Sequence, residues 1–192
     1  MTNRETAKSV LWQCLDTPGM DACRICQSDH GWLLNGCADF VFAGDIVMMR
    51  YEVVCGPDWT SQSASIAGWI GGRDFQTQVQ RSTHGNWMID GNVLPKTSEL
   101  QDIDLGFTPA TNTNAINRLA LDSGKSSMTR ALWLDVNDWS MKPLSQTYGR
   151  KSANLMTYAS PDNDYHTELT VDDFGIVRTY PGLWQAVELP HR

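Results

Sequence analysis

The chain has 192 residues, enough for one domain spanning 1–192 with a sizeable core. Apolar residues at 41% and charged residues at 19%, with no like-charged block or low-complexity tract, exclude a disordered chain and a coiled coil. Fifteen Lys and Arg against 22 Asp and Glu give a formal charge of −7, and the scattered basic residues form no stripe for nucleic-acid phosphates.

The longest apolar runs, Phe40–Ala43 and Ile46–Met49, fall far short of the roughly 20 residues of a membrane-spanning helix. The start, Met1 to Glu5, has no hydrophobic signal core. The expectation is a cytoplasmic protein with no membrane-spanning segment.

Taken in order, Ala22 to Gln27 reads as a strand. A spacing of three then sends Cys23 and Cys26 to opposite faces, which argues against a zinc knuckle despite Cys14, Cys37 and His30 nearby. The five cysteines are an odd number and read as reduced, packed thiols, so neither a metal nor a cofactor is expected. Val47, Met49, Tyr51 and Val53 alternate with polar Arg50 and Glu52 as a half-buried strand. Phe75, Thr77 and Val79 do the same against three glutamines, and Tyr165, Thr167, Leu169 and Val171 against His166, Glu168 and Thr170. Met128, Leu132, Leu134 and Val136 form a similar series interrupted by Arg130.

Turn residues punctuate these runs at His30-Gly31, Ala43-Gly44, Gly71-Gly72, His84-Gly85, Asp90-Gly91 and Asp172 to Gly175. The sum is an antiparallel meander of about ten strands, which must roll up or pack in two layers to cover its apolar face. Two stretches break the alternation. The segment from Leu105 through Thr113 carries Pro109 and several capping residues, and predicts a short helix over 114–119. Tyr180 to Trp184 predicts a turn that ends the last strand and folds Leu183 and Trp184 back onto the body.

Asp102 and Asp104 lie two apart on an apparent strand and so share a face. That pattern can make a catalytic acid pair, but the many backbone donors of the following loop and the lack of a His or Lys nearby in sequence favour a structural role, in which the acids accept hydrogen bonds from the loop or pair with Arg118. No nucleophile elbow, phosphate loop or zinc-protease motif occurs, and His30, His84 and His166 are isolated. The strand face of Leu144, Gln146, Tyr148 and Arg150, with Asn154, Met156 and Tyr158 on the next strand, mixes rings with amides and a guanidinium. It suits either a cavity for an amphipathic ligand or a wet sheet surface.

The run Asp102-Ile-Asp104-Leu-Gly-Phe107-Thr108-Pro109-Ala-Thr111-Asn112-Thr113, followed by Ile116-Asn117-Arg118-Leu119, resembles the signature of the "putative glycolipid-binding" family of bacterial proteins. Trp12, Pro18-Gly19, Tyr51, Trp59-Thr60, Asp90-Gly91, Gln146-Thr-Tyr148, Val171-Asp172 and Tyr180 to Trp184 fall in the order expected of that family, across nearly the whole chain. The resemblance implies a mainly β fold: a single strongly curved antiparallel sheet, half-barrel or barrel-like, with one or two short helical segments. It departs from the family pattern at Asn114-Ala115-Ile116-Asn117, which stands for a more usual Leu-Pro-Ile-Arg, so one basic group is missing at Asn117.

The function expected is the holding of a glycolipid or other amphipathic small molecule in the cleft of that sheet. Trp59, Tyr148, Tyr158, Tyr180 and Trp184 would give stacking surface, and Asp102, Asp104, Asn112, Arg118 and Gln146 would orient a polar head. The alternatives are an enzyme acting on a sugar or small ester through Asp102 and Asp104, and a non-catalytic interaction module.

Overall fold

A computed structural model describes residues 7–188; the Met1 to Glu5 start, read above for a signal core, lies outside the described residues. The first run of strands is β1 (Lys8–Cys14), β2 (Gly19–Ser28), β3 (Gly31–Phe42), β4 (Asp45–Cys55), β5 (Ser61–Ile70), β6 (Arg73–Arg81), β7 (Trp87–Ile89) and β8 (Asn92–Val93). Then come β9 (Asp102–Leu105) and the helix α1 (Asn112–Leu119). The last run is β10 (Ser126–Asp135), β11 (Ser140–Ser152), β12 (Leu155–Ser160), β13 (Tyr165–Val171), β14 (Val177–Tyr180) and β15 (Trp184–Ala186), with a 3-10 turn at Pro161–Asn163.

All fifteen strands belong to one sheet, ordered β8-β7-β6-β5-β4-β3-β2-β1-β15-β14-β13-β12-β11-β10-β9. Every pairing is antiparallel except β9 with β10. The chain therefore starts at the middle of the sheet, steps outward by hairpins to β8, crosses to the opposite edge at β9, and steps back until β15 lies against β1. Short hairpin steps are the expected way to connect sequential antiparallel strands.

The crossing sets the edge strand β9 against the start of β5 and the end of β6. The Ser61 amide at the start of β5 donates to Gln101 O at 3.2 Å, and the Ile103 amide donates to Ser61 Oγ at 3.0 Å. Arg81 clamps the seam, with Nε on Ser61 O at 2.8 Å and Nη2 on Leu100 O at 2.7 Å. These bonds cover the open edge of β9 without continuing the ladder, so the sheet is strongly curved and is not a closed barrel.

The alternating runs occupy strands in the phase predicted. Val47, Met49, Tyr51 and Val53 are buried, as are Thr77 and Val79, and Leu169 and Val171. At the centre, Trp12 is fully buried and its indole N–H donates to Val177 O at 2.7 Å. Fifteen strands replace the expected ten because β7, β8, β9, β14 and β15 are two to four residues long, too short to show a period. The Tyr180 to Trp184 segment needs correcting. It is a hairpin between β14 and β15 rather than the end of the last strand, and Trp184–Ala186 pairs with β1. Met128 is 71% exposed and Val136 lies beyond the end of β10, so that series holds only at Leu132 and Leu134.

One buried carboxylate organises the concave side of the first half of the sheet. Asp21 on β2 is wholly buried, and it accepts hydrogen bonds from Tyr51 Oη at 2.9 Å and from the Thr108 hydroxyl. Gly36, opposite Tyr51, leaves the space that the Tyr51 ring crosses to reach it. Burial pushes the Asp21 pKa up to about 7 against the pull of these two hydroxyls. The folded protein thus holds a proton that the unfolded chain releases, and stability falls as pH rises from about 4 to about 7. Denaturation midpoints at pH 5 and pH 8 should show this loss in the wild type and a smaller one in Asp21→Asn; equal losses would contradict it.

Candidate functional site

The site grows from the segment between β9 and α1. Gly106 must be glycine, since a Cβ there would meet Leu134 O at 2.7 Å and Trp133 Nε1 at 2.8 Å. The segment then turns tightly, with the Thr108 amide on Leu105 O at 3.0 Å and the Asn114 amide on Thr111 O at 3.1 Å. Its polar side chains are almost all engaged. Thr108 reaches Asp21 and accepts from the Ala110 amide at 3.0 Å, and Thr111 accepts from the Leu105 amide at 3.1 Å. Asn112 donates to Tyr148 Oη at 2.8 Å, and Phe107 packs between Phe40 and Tyr51.

β9 presents its two acids on one face, as the spacing predicts, but to different partners. Asp102 is 1% exposed and takes both Arg118 Nε at 2.8 Å and Nη2 at 2.6 Å, with the Thr129 hydroxyl at 2.9 Å. This bidentate pair ties α1 to β9 and β10. Asp104 accepts from Gln146 Nε2 at 2.5 Å, and the same amide group donates to Tyr158 Oη at 3.0 Å. Burial, helped by the charge of Asp102, pushes the Asp104 pKa up to about 6, while hydrogen bonds from Gln146 and Thr111 pull the other way.

Beside Asp104 is a cavity of about 260 Å³. Its wall includes Asp104, Asn112 and Asn163 as polar groups, and Trp133, Tyr158, Tyr165, Tyr180 and Trp184 as rings. Tyr148, Tyr158, Tyr165 and Tyr180 pack as one aromatic cluster, with Tyr148 and Tyr158 centroids 5.1 Å apart and Tyr158 and Tyr180 6.0 Å apart. The cross-strand register brings them together, since Tyr148 faces Tyr158 directly and Ser160 faces Tyr165. Burial raises the phenol pKa values of Tyr148, Tyr158 and Tyr180, so all three stay neutral donors.

Of the residues singled out from sequence, Asp104, Asn112, Tyr158, Tyr180 and Trp184 line this cavity. Gln146 and Tyr148, each 1% exposed, stand behind the wall and hold Asp104 and Asn112 in place. Asp102 and Arg118 lie outside the wall and brace α1. Trp59 is elsewhere, stacked on Trp32 at 4.3 Å with Phe174 edge-on. Trp133, Tyr165 and Asn163 escaped the sequence reading. Trp133 enters through the parallel pairing that sets it beside Asp104, for which no local pattern exists; Tyr165 carried a signal in its alternation with Leu169. Cys23 is buried and Cys26 partly exposed, and no cluster of metal-binding side chains occurs among the described residues.

A family model described as "Putative glycolipid-binding" matches residues 9–186. The chain belongs to this family. Among solved structures it is similar to a DUF1089 family protein from Pseudomonas aeruginosa, at 23% identity and a TM-score of 0.70, with 96% of this chain and 94% of that chain covered. No curated protein matches. The likeness in fold extends across the whole sheet, including β9, the segment with Thr108 and the helix α1 that carries Asn112 and Arg118. The Asn117 amide donates to Thr113 O at 2.9 Å and Phe174 O at 3.0 Å, and so pins the β13–β14 turn.

Two stability outcomes follow from these contacts. Arg118→Met should cost about 3–5 kcal/mol by stranding Asp102, and adding Asp102→Asn should recover a good part of it, as read by urea denaturation. Asn114 is fully buried and both its side-chain polar atoms lack a partner among the described residues. Asn114→Leu should therefore raise stability by about 1–3 kcal/mol, and a loss would show that the amide contributes to the fold.

Proposed function

We propose that this protein binds, without transforming it, an amphipathic molecule whose hydroxyl-rich head enters the tyrosine-walled cavity. The observation that carries this reading is the composition of the wall: a carboxylate and two carboxamides able to engage hydroxyls, among five aromatic rings able to lie against the faces of a sugar. The description of the family supports it. The volume, about 260 Å³, is near the low end of small-molecule sites, which run from roughly 300 Å³, and matches a head group rather than a whole lipid.

The disposition of the acids supports binding over hydrolysis. Glycoside hydrolysis by two carboxylates needs both beside the scissile bond. Asp102 is taken up by Arg118 and Thr129, which leaves Asp104 as the carboxylate at the wall. Asp104, with Gln146 fixing one oxygen, acts as a hydrogen-bond acceptor for a head-group hydroxyl.

The direct test is native mass spectrometry of the freshly purified protein, followed by solvent extraction. An adduct that leaves on denaturation and carries a sugar or polyol head supports the proposal. A clean chain mass, with no stabilisation by added glycolipids, contradicts it. Affinity for the extracted molecule should fall as pH drops through about 6, where Asp104 gains a proton and loses the charge that makes it a strong acceptor, and the profile should be flat in Asp104→Asn.

A further inference from the structure

The cavity is not isolated. Gly106, Leu183 and Trp184 also form part of the wall of a second hollow, of about 530 Å³, at the same end of the sheet. Its remaining wall includes Phe40, Val41, Phe42, Phe107 and Val136, and its one charged residue among the described residues is Asp16. Leu15, 48% exposed, lies beside this opening, where its amide donates to Leu183 O at 2.8 Å.

From this we infer that the ligand is a single amphiphile lying across both hollows: an uncharged, hydroxyl-rich head against Asp104, and an alkyl chain over the Gly106–Trp184 divide in the Phe42–Val136 groove. The inference rests on the proposed function and adds that the head is uncharged and where the tail lies. Two observations carry it. Among the described residues neither hollow has a Lys or Arg in its wall, and each has an Asp, so a phosphate or carboxylate head would bury its charge next to a carboxylate with no wall cation to offset it. Leu183 and Trp184 form part of both walls, so a chain leaving the head passes over their apolar side chains towards Phe42 and Val136.

Isothermal titration of the full chain with methyl, butyl, hexyl and octyl β-D-glucopyranoside below their micellar concentrations, and with octyl phosphate, tests the inference. Affinity should rise roughly fourfold per methylene from butyl to octyl, as expected for burial of each CH₂, and octyl phosphate should bind at least tenfold more weakly than octyl glucoside. Val136→Trp and, at the facing strand end, Val41→Trp should flatten the chain-length dependence. Glucosides that bind equally whatever their chain length would overturn the groove while leaving the head-group reading intact. Octyl phosphate binding as tightly as octyl glucoside would overturn the uncharged head. Binding by none of them would overturn both readings.

Discussion

A carboxylate with hydroxyls for partners, sealed inside a β-sheet, is costly to keep, and the shape of this molecule follows from how Asp21 is satisfied. Its two hydrogen-bond donors come from different places: Tyr51 from the same half of the sheet, and Thr108 from the segment that leaves the far edge strand. The second bond draws residues 106–111 into the concave side, where Phe107 packs between Phe40 and Tyr51 and closes off what would otherwise be an open apolar trough. Once that segment is seated, α1 must follow, and Arg118 falls within reach of Asp102.

The cavity is what remains beside the seated segment. Its polar side is built by β9 and the start of α1, and its aromatic side by β12, β13 and the β14–β15 hairpin. Asp104, Asn112 and the wall tyrosines are each held by a neighbour. Gln146 fixes Asp104, Tyr148 fixes Asn112, and the tyrosines brace one another edge to face. Such support lets a small set of polar groups keep one geometry in the absence of ligand. Among the described residues the wall holds no cation, and its carboxylate already has a raised pKa, so the local field opposes an anion there.

Much of this was legible in the sequence and some could not have been. Period-two alternation in 47–53, 75–79 and 165–171 identified strands and their buried faces, because each has one core face and one wet face. The resemblance at 102–119 directed attention to the segment that shapes the site. The parallel pairing of β9, the pairing of Trp184–Ala186 with the first strand, and the meeting of Asp21 with Thr108 are contacts across 87 or more residues or between strands of a few residues, and no local pattern encodes them. Trp59 shows the converse limit. A tryptophan looks the same in sequence whether it faces a ligand or a neighbouring Trp32, and only the cross-sheet packing distinguishes the two.

The central claim is that one buried hydroxyl–carboxylate contact seats the loop that makes the site. Amide hydrogen exchange of Thr108→Val against the wild type tests it most directly. Loss of a buried hydrogen bond to a carboxylate is worth about 1–3 kcal/mol. The account therefore predicts at least a tenfold fall in protection across residues 106–114, while β3, β4 and β5 keep theirs. Unchanged protection in 106–114, or an equal loss throughout the sheet, would contradict it.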